Sequence, residues 1–218
     1  VIFLFMAGGV SQIDSYDYKE KLFKDDGKMI RFDDARTLAK TRQIVKHRVM
    51  KPLWNFKQHG ECGQPVSELF PYTARFVDDL CILKGMHTEG VAHGPSTLFM
   101  HTGTINLIRP SMGSWLSYGL GTENQDLPAF VVLVSGERGP SGGTALWGNG
   151  FLPSVHQGVR LRSQGDPVLF LGDPPGMMRG QRRMTIDKIR ALNEMRLQSV
   201  GNPEIETRIQ QFELAYRM

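Results

Sequence analysis

"LCILKGMHTEGVAHGPSTLFMHTG", residues 80–103, opens as an unbroken apolar run and passes through a loop carrying His87, Glu89 and His93. It closes on a second apolar segment that ends at Gly103. The first run, "LCILKGM" (80–86), reads as a strand. Pro95 suits the first turn of a helix, where its missing N–H would have no intrahelical partner in any case. Gly103 supplies a left-handed stop. Strand, loop and helix in that order are the unit of an α/β domain, so this stretch predicts a largely parallel sheet flanked by helices.

The flanking sequence extends the pattern. "VIFLFMA", residues 1–7, is a continuous apolar run that reads as a strand buried on both faces, typical of a parallel sheet, and is followed by the glycine turn "GGVSQID". Val66, Leu69, Phe70, Val77 and Leu80 recur at helical spacing, which predicts a helix over 66–78. "SWLSYGLG" (114–121) reads as a helix, "AFVVLVS" (129–135) as a strand, and "PVLFLG" (167–172) as a strand or buried segment. Residues 15–64 are polar and irregular and read as a surface excursion. Residues 185–218 read as a helical hairpin, its second arm capped by Asn202 with Pro203 as first helical residue. The whole chain of 218 residues is expected to form part of one domain.

Composition narrows the function classes. The 26 Lys and Arg against 22 Asp and Glu leave a net charge of +4, scattered with no one-sign block. That pattern speaks against a nucleic-acid partner. The opening apolar run is too short to span a bilayer, so no membrane span is expected in this chain. His59 and Cys62 have a ligand-like spacing, but no second pair follows at zinc-site distance. Cys62 and Cys81 are left as one disulfide, if the protein is exported, or as two inert thiols.

Several residues could carry chemistry. "GERGPSGGT" (136–144) lacks the Lys-Ser/Thr of a nucleotide-binding loop. It could hold an anion with backbone N–H groups and Arg138, or be a plain surface loop. Ligands of doubly wound sheets bind beyond the carboxyl ends of strands. "GGVSQIDSYD" (8–17) stands at such an end and offers Ser11, Gln12, Asp14 and Asp17. Asp14 is a candidate metal ligand or base, or a turn-capping aspartate. His87, Glu89 and His93 share one loop at the end of the second strand. A neutral imidazole at a helix N-terminus, as at His93, can ligate a metal or take a proton. The same helix end attracts sulfate, phosphate or carboxylate. His101, inside the helix, is expected to be structural.

These residues resemble two related groups of proteins. In sulfatases a modified Cys or Ser is followed by x-Pro-Ser-Arg, an apolar run and Thr-Gly. "HGPSTLFMHTG" (93–103) is similar in length and keeps Pro95, Ser96, Thr102 and Gly103. His93 takes the nucleophile's place and Thr97 the arginine's, while Gly8 and Gly9 stand where the metal-binding aspartate pair would fall. A closer resemblance covers nearly the whole chain. "FMAGGVSQIDSYD", "SELFPYTARFVDDLCILKGMHTEGVAHGP", "RPSMGSWLSYGLGTENQDLPAFVVL", "WGNGFLPSVHQGV" and "SQGDPVLFL" resemble the bacterial family called domain of unknown function 1501.

The resemblance implies an alkaline-phosphatase/sulfatase-like α/β fold of which this chain is the N-terminal half, in a protein exported to the periplasm or beyond. The departures at Gly8, Gly9 and His93 mean that the standard sulfatase mechanism does not carry over. The convergence of candidate residues at the carboxyl ends of two predicted strands instead suggests a divalent metal (zinc, calcium or magnesium) on Asp14 and His93, with His87, Glu89 and His93 in catalysis and Ser96 and Arg138 on the substrate. The implied substrate is a sulfated or phosphorylated small molecule or polysaccharide, hydrolysed at the ester. The alternative is a non-catalytic glycan- or protein-binding member of the same fold, since both the aspartate pair and the nucleophile are replaced. A third reading has the histidines packed and hydrogen-bonded with no site at all.

Overall fold

The computed structural model describes residues 1–32, 45–86, 88, 90, 92–106, 108–124, 126–135, 139–169 and 171–218. The chain divides into two compact units, Val1–Val91 and Ala92–Met218. Helices and small sheets are mixed in it, which makes the class α/β. Among the described residues there are three two-stranded sheets, two of them antiparallel and one parallel. The expected parallel sheet is therefore represented by a single strand pair.

The first unit carries α1 (Glu20–Lys24), β1 (Met29–Phe32), β2 (Val45–Arg48), β3 (Phe56–His59) and β4 (Gln64–Ser67), then a 3-10 helix at Thr73–Asp79. β1 pairs antiparallel with β2, and β3 with β4 in the register Phe56↔Ser67 to His59↔Gln64. The helix predicted over 66–78 is replaced by β4 and the 3-10 segment. Pro71 accounts for the break, because it disfavours helical backbone at Phe70 and has no N–H to give. Of the residues at helical spacing, Val66, Phe70 and Val77 join the core, while Leu69 and Leu80 are exposed. Val66, Ala74 and Val77 are buried together, with Tyr16, Phe70 and Ile82 packed against them. The Tyr16 and Phe70 rings lie 5.2 Å apart. Asp78 ties the β3–β4 turn to this core by accepting the Glu61 and Cys62 backbone N–H groups, each at 2.9 Å. The Cys62 amide and thiol, and then the Glu61 amide, hold its carboxyl below the usual value.

Two strands expected here are not formed. Among the described residues, 1–7 and 80–86 have no ladder pairing. A strand needs a neighbour to take its main-chain donors and acceptors. Val1, Ile2 and Leu4 are fully exposed, and of the second run Ile82 alone joins the core.

The second unit holds α2 (His93–Thr102), α3 (Met112–Leu120), β5 (Val131–Leu133), β6 (Val159–Leu161), α4 (Arg179–Val200) and α5 (Pro203–Arg217). β5 and β6 pair in parallel, Val131↔Val159 to Leu133↔Leu161. β5 falls inside the strand expected at 129–135. Its partner is β6, and Val168 and Leu169 of the segment expected at 167–172 lie in a bend and a turn. α2 stops at Gly103, which adopts φ 72. Ser111 caps α3, its hydroxyl accepting the Ser114 N–H. The Gly148 carbonyl then receives both the Ser111 N–H and the Ser114 hydroxyl, each at 3.0 Å. These bonds fix the 148–150 segment, with buried Leu146 and Trp147 before it, against the start of α3.

α4 and α5 pack as a hairpin. Gly201 ends α4 in the left-handed region, and the Asn202 side chain accepts the Glu204 N–H at 3.0 Å. Arg183 spans the pair, donating to Glu213 at 2.6 and 2.9 Å and to Asp187 on its own helix. The Tyr216 ring lies under both Arg179 and Arg183, 4.7 and 4.8 Å from the guanidinium carbons. No described helix is long and apolar enough to cross a membrane.

Candidate functional site

The second unit presents the better-defined chemistry. His93 is the first residue of α2 and is exposed. Ala92 precedes it in extended conformation, and no side chain caps the helix. Pro95 has no N–H, and the Ser96 N–H is taken by the Ala92 carbonyl at 3.0 Å. The first turn thus offers the His93 and Gly94 amides to a ligand, with open space beside Gly94. A helix end of this kind favours a tetrahedral oxyanion, and the exposed imidazole stands beside it. Ser96 is half-buried on the same turn.

Asp14 ends a 3-10 turn at Gln12–Asp14 in the first unit and is half-buried. The turn is closed by Ser15, whose hydroxyl donates to the Ser11 carbonyl at 2.9 Å. Gly8 and Gly9 adopt φ 90 and φ 70, and the Gly9 N–H closes a turn on the Met6 carbonyl. An aspartate pair at those two positions would sit in the left-handed region, so this backbone is shaped for glycine. His87, Glu89 and Arg138 lie outside the described residues.

Among the described residues no three or more His, Cys, Asp or Glu come together as a metal site. Within that set Asp14 and His93 alone fall short of the donors that a divalent ion requires. Cys62 and Cys81 are both free thiols and exposed.

The structure also displays two histidine contacts that the spacing of the sequence could not reveal. His101, near the end of α2, is half-buried and hydrogen-bonds to the Leu146 main chain. His156 Nδ1 lies 3.0 Å from the Ser117 hydroxyl, and its ring meets Tyr118 edge-on at 5.5 Å. Ser117 and His156 are 39 residues apart, and only packing joins them.

Burial pushes both imidazoles below their ordinary 6.5, opposed at His101 by the Leu146 bond. The unfolded chain therefore takes up protons near 6.5 that the folded chain still refuses. Stability is fully present above 6.5 and falls as the pH drops toward the lower folded values. The thermal midpoint of the 92–218 unit is expected to decline between about pH 7 and about pH 5. Replacing His101 and His156 together with asparagine should flatten that slope. A flat profile in the unaltered protein would count against the assignment.

The architecture is that of a mixed α/β protein with small sheets and an open helix terminus bearing a histidine. Over residues 1–218 the sequence matches the family model described as protein of unknown function (DUF1501), and the chain belongs to that family. No curated protein and no solved structure matches it.

Proposed function

We propose that this chain is the N-terminal half of a metal-dependent hydrolase of sulfate or phosphate esters with an alkaline-phosphatase/sulfatase-like fold. The observation that carries the reading is His93 at the uncapped N-terminus of α2, in a turn that keeps the Pro95-Ser96 frame of a sulfatase nucleophile turn. The His93 and Gly94 amides hold an ester oxyanion, and Ser96 and Arg138 contact the substrate. The His93 imidazole ligates the metal or moves a proton, with Asp14 as second ligand and His87 and Glu89 exchanging protons. A divalent zinc, calcium or magnesium ion would supply Lewis-acid polarisation of the ester. Sulfated or phosphorylated polysaccharides are the fitting substrates for such a protein exported to the periplasm.

The test uses the full reading frame, assayed for bound metal and for hydrolysis of nitrophenyl sulfate and nitrophenyl phosphate. His93→Ala is expected to lower kcat/KM by about a hundredfold or more. Its thermal midpoint should hold, because His93 is exposed. Absence of bound metal, with activity indifferent to His93→Ala, sinks the reading.

The positive φ of Gly8 and Gly9 favours a second reading, a non-catalytic binder of glycans or proteins. Retention of sulfated polysaccharide without turnover, weakened by His93→Ala, would select it over the hydrolase.

A further inference from the structure

Asn149–Gly150 lies outside the candidate site, in the segment that meets the start of α3. An asparagine followed by glycine is open to intramolecular imide formation, because glycine has no Cβ to shield its own amide nitrogen. We propose that Asn149 is a latent modification site, held inert by the fold and released when the Ala92–Met218 unit unfolds.

In the reaction the Gly150 backbone nitrogen gives its proton to solvent base and attacks Asn149 Cγ. The new N–Cγ bond forms as the Cγ–Nδ2 bond breaks, and the NH2 group takes up a proton from solvent and leaves as ammonia. Water then opens the five-membered succinimide at either carbonyl, giving aspartate or isoaspartate. Nothing is oxidised or reduced, and water is the sole co-reactant.

The native turn blocks the attack at both ends of the residue. Asn149 Nδ2 donates to the Leu152 carbonyl, and the Leu152 N–H donates back to the Asn149 carbonyl at 3.0 Å. Turning the side-chain amide toward the Gly150 nitrogen would break the first bond and distort the turn closed by the second. Gly150 itself is packed so closely that a Cβ there would meet Pro110 N at 2.3 Å. The backbone has no slack in which to reorganise.

The same contacts make the modification irreversible for folding. Isoaspartate inserts one extra methylene into the main chain between 149 and 150. On one side Gly148 is bound to Ser111 and Ser114, and on the other Gly150 rests on Arg109 and Pro110. Both anchors belong to one short stretch, so the longer backbone cannot satisfy them together. The aspartate product instead sets a carboxylate against the Leu152 carbonyl, two acceptors face to face.

The test incubates the full chain at mildly alkaline pH, native or in guanidinium chloride, and follows Asn149 by peptide mapping with mass spectrometry. Amide-to-acid conversion is expected at least about tenfold faster in denaturant, since the reaction then needs no opening step. After dilution, isoaspartate at 149 should be depleted from the refolded fraction. Equal rates in the two conditions, no conversion in denaturant, or isoaspartate chains that refold with the unmodified thermal midpoint would each overturn the proposal. Asn149→Gln keeps an amide but lengthens the ring that must close. It should retain refolding through the same incubation, and equal loss of refolding in that variant also overturns it.

Discussion

Replacing Gly150 with alanine is expected to cost about 3–5 kcal/mol of folding stability. Gly150 adopts φ +57, where an L side chain is strained. The larger part of the loss comes from overlap: the added Cβ would meet Pro110 N at 2.3 Å and the Arg109 carbonyl carbon at 2.4 Å. These are backbone atoms and cannot rotate aside. Pro110 and Ser111 are themselves fully buried at the head of α3, so the helix cannot recede without losing the Gly148 bonds. Gly150→Asn separates the two causes, since asparagine tolerates the left-handed region but still carries a Cβ. Both variants should fall by similar amounts in chemical denaturation. A loss under about 1 kcal/mol in either one would refute the overlap argument.

Gly113→Ala is expected to cost about 1–3 kcal/mol by overpacking. A Cβ at Gly113 would lie 2.3 Å from Phe130 Cζ, at the far end of the ring. The same ring also lies close to Gly158, where a built Cβ would fall 2.8 Å from it, so Phe130 packs against glycines on two sides. The Phe130 ring fills the gap between two glycines, one on α3 and one just before β6. Shortening it should therefore make room: Gly113→Ala combined with Phe130→Ala is expected to lose less than the two single changes added together. The shortfall should be about 1 kcal/mol or more, within the range of directly contacting pairs. Strict additivity in a double-mutant cycle would show that the ring is free to move.

Local signals carried the helical parts of this chain well. Pro95 and Gly103 bracketed α2, and Asn202 with Pro203 placed the start of α5, because caps and stops act through neighbouring backbone groups alone. The start of α4 lies at Arg179, ahead of the periodic apolar residues. Its first turn is held by Gln181 and by Arg182 paired with Asp173 rather than by an apolar stripe. At 66–78 the period identified three core residues, Val66, Phe70 and Val77, missed Ala74, included the exposed Leu69 and Leu80, and had the wrong backbone. Pro71 divided the segment between a strand and a 3-10 helix that both bury the same apolar side chains.

The candidate site was legible to a similar depth. The position of His93 at a helix N-terminus follows from the sequence, since Pro95 and Gly94 leave little choice of where the helix begins. The glycine backbone at 8 and 9 likewise agrees with the loss of the aspartate pair. Ser117–His156 and His101–Leu146 were not legible, because residues 39 and 45 positions apart in the chain meet only through packing.

The sequence by itself determined the mixed α/β class, the membership of the DUF1501 family, and the helix that presents His93. Each of these rests on short-range rules of cap, stop and spacing, or on a pattern of residues running the length of the chain. Tertiary structure decided which apolar runs became strands. Residues 129–135 gained a ladder partner at 159–161, while residues 1–7 and 80–86 did not pair among the described residues. It also decided that Gly113, Gly150 and Gly158 are points of close approach. A strand exists only with a neighbour to take its hydrogen bonds, and a glycine is indispensable only where another part of the chain comes within a methyl's reach.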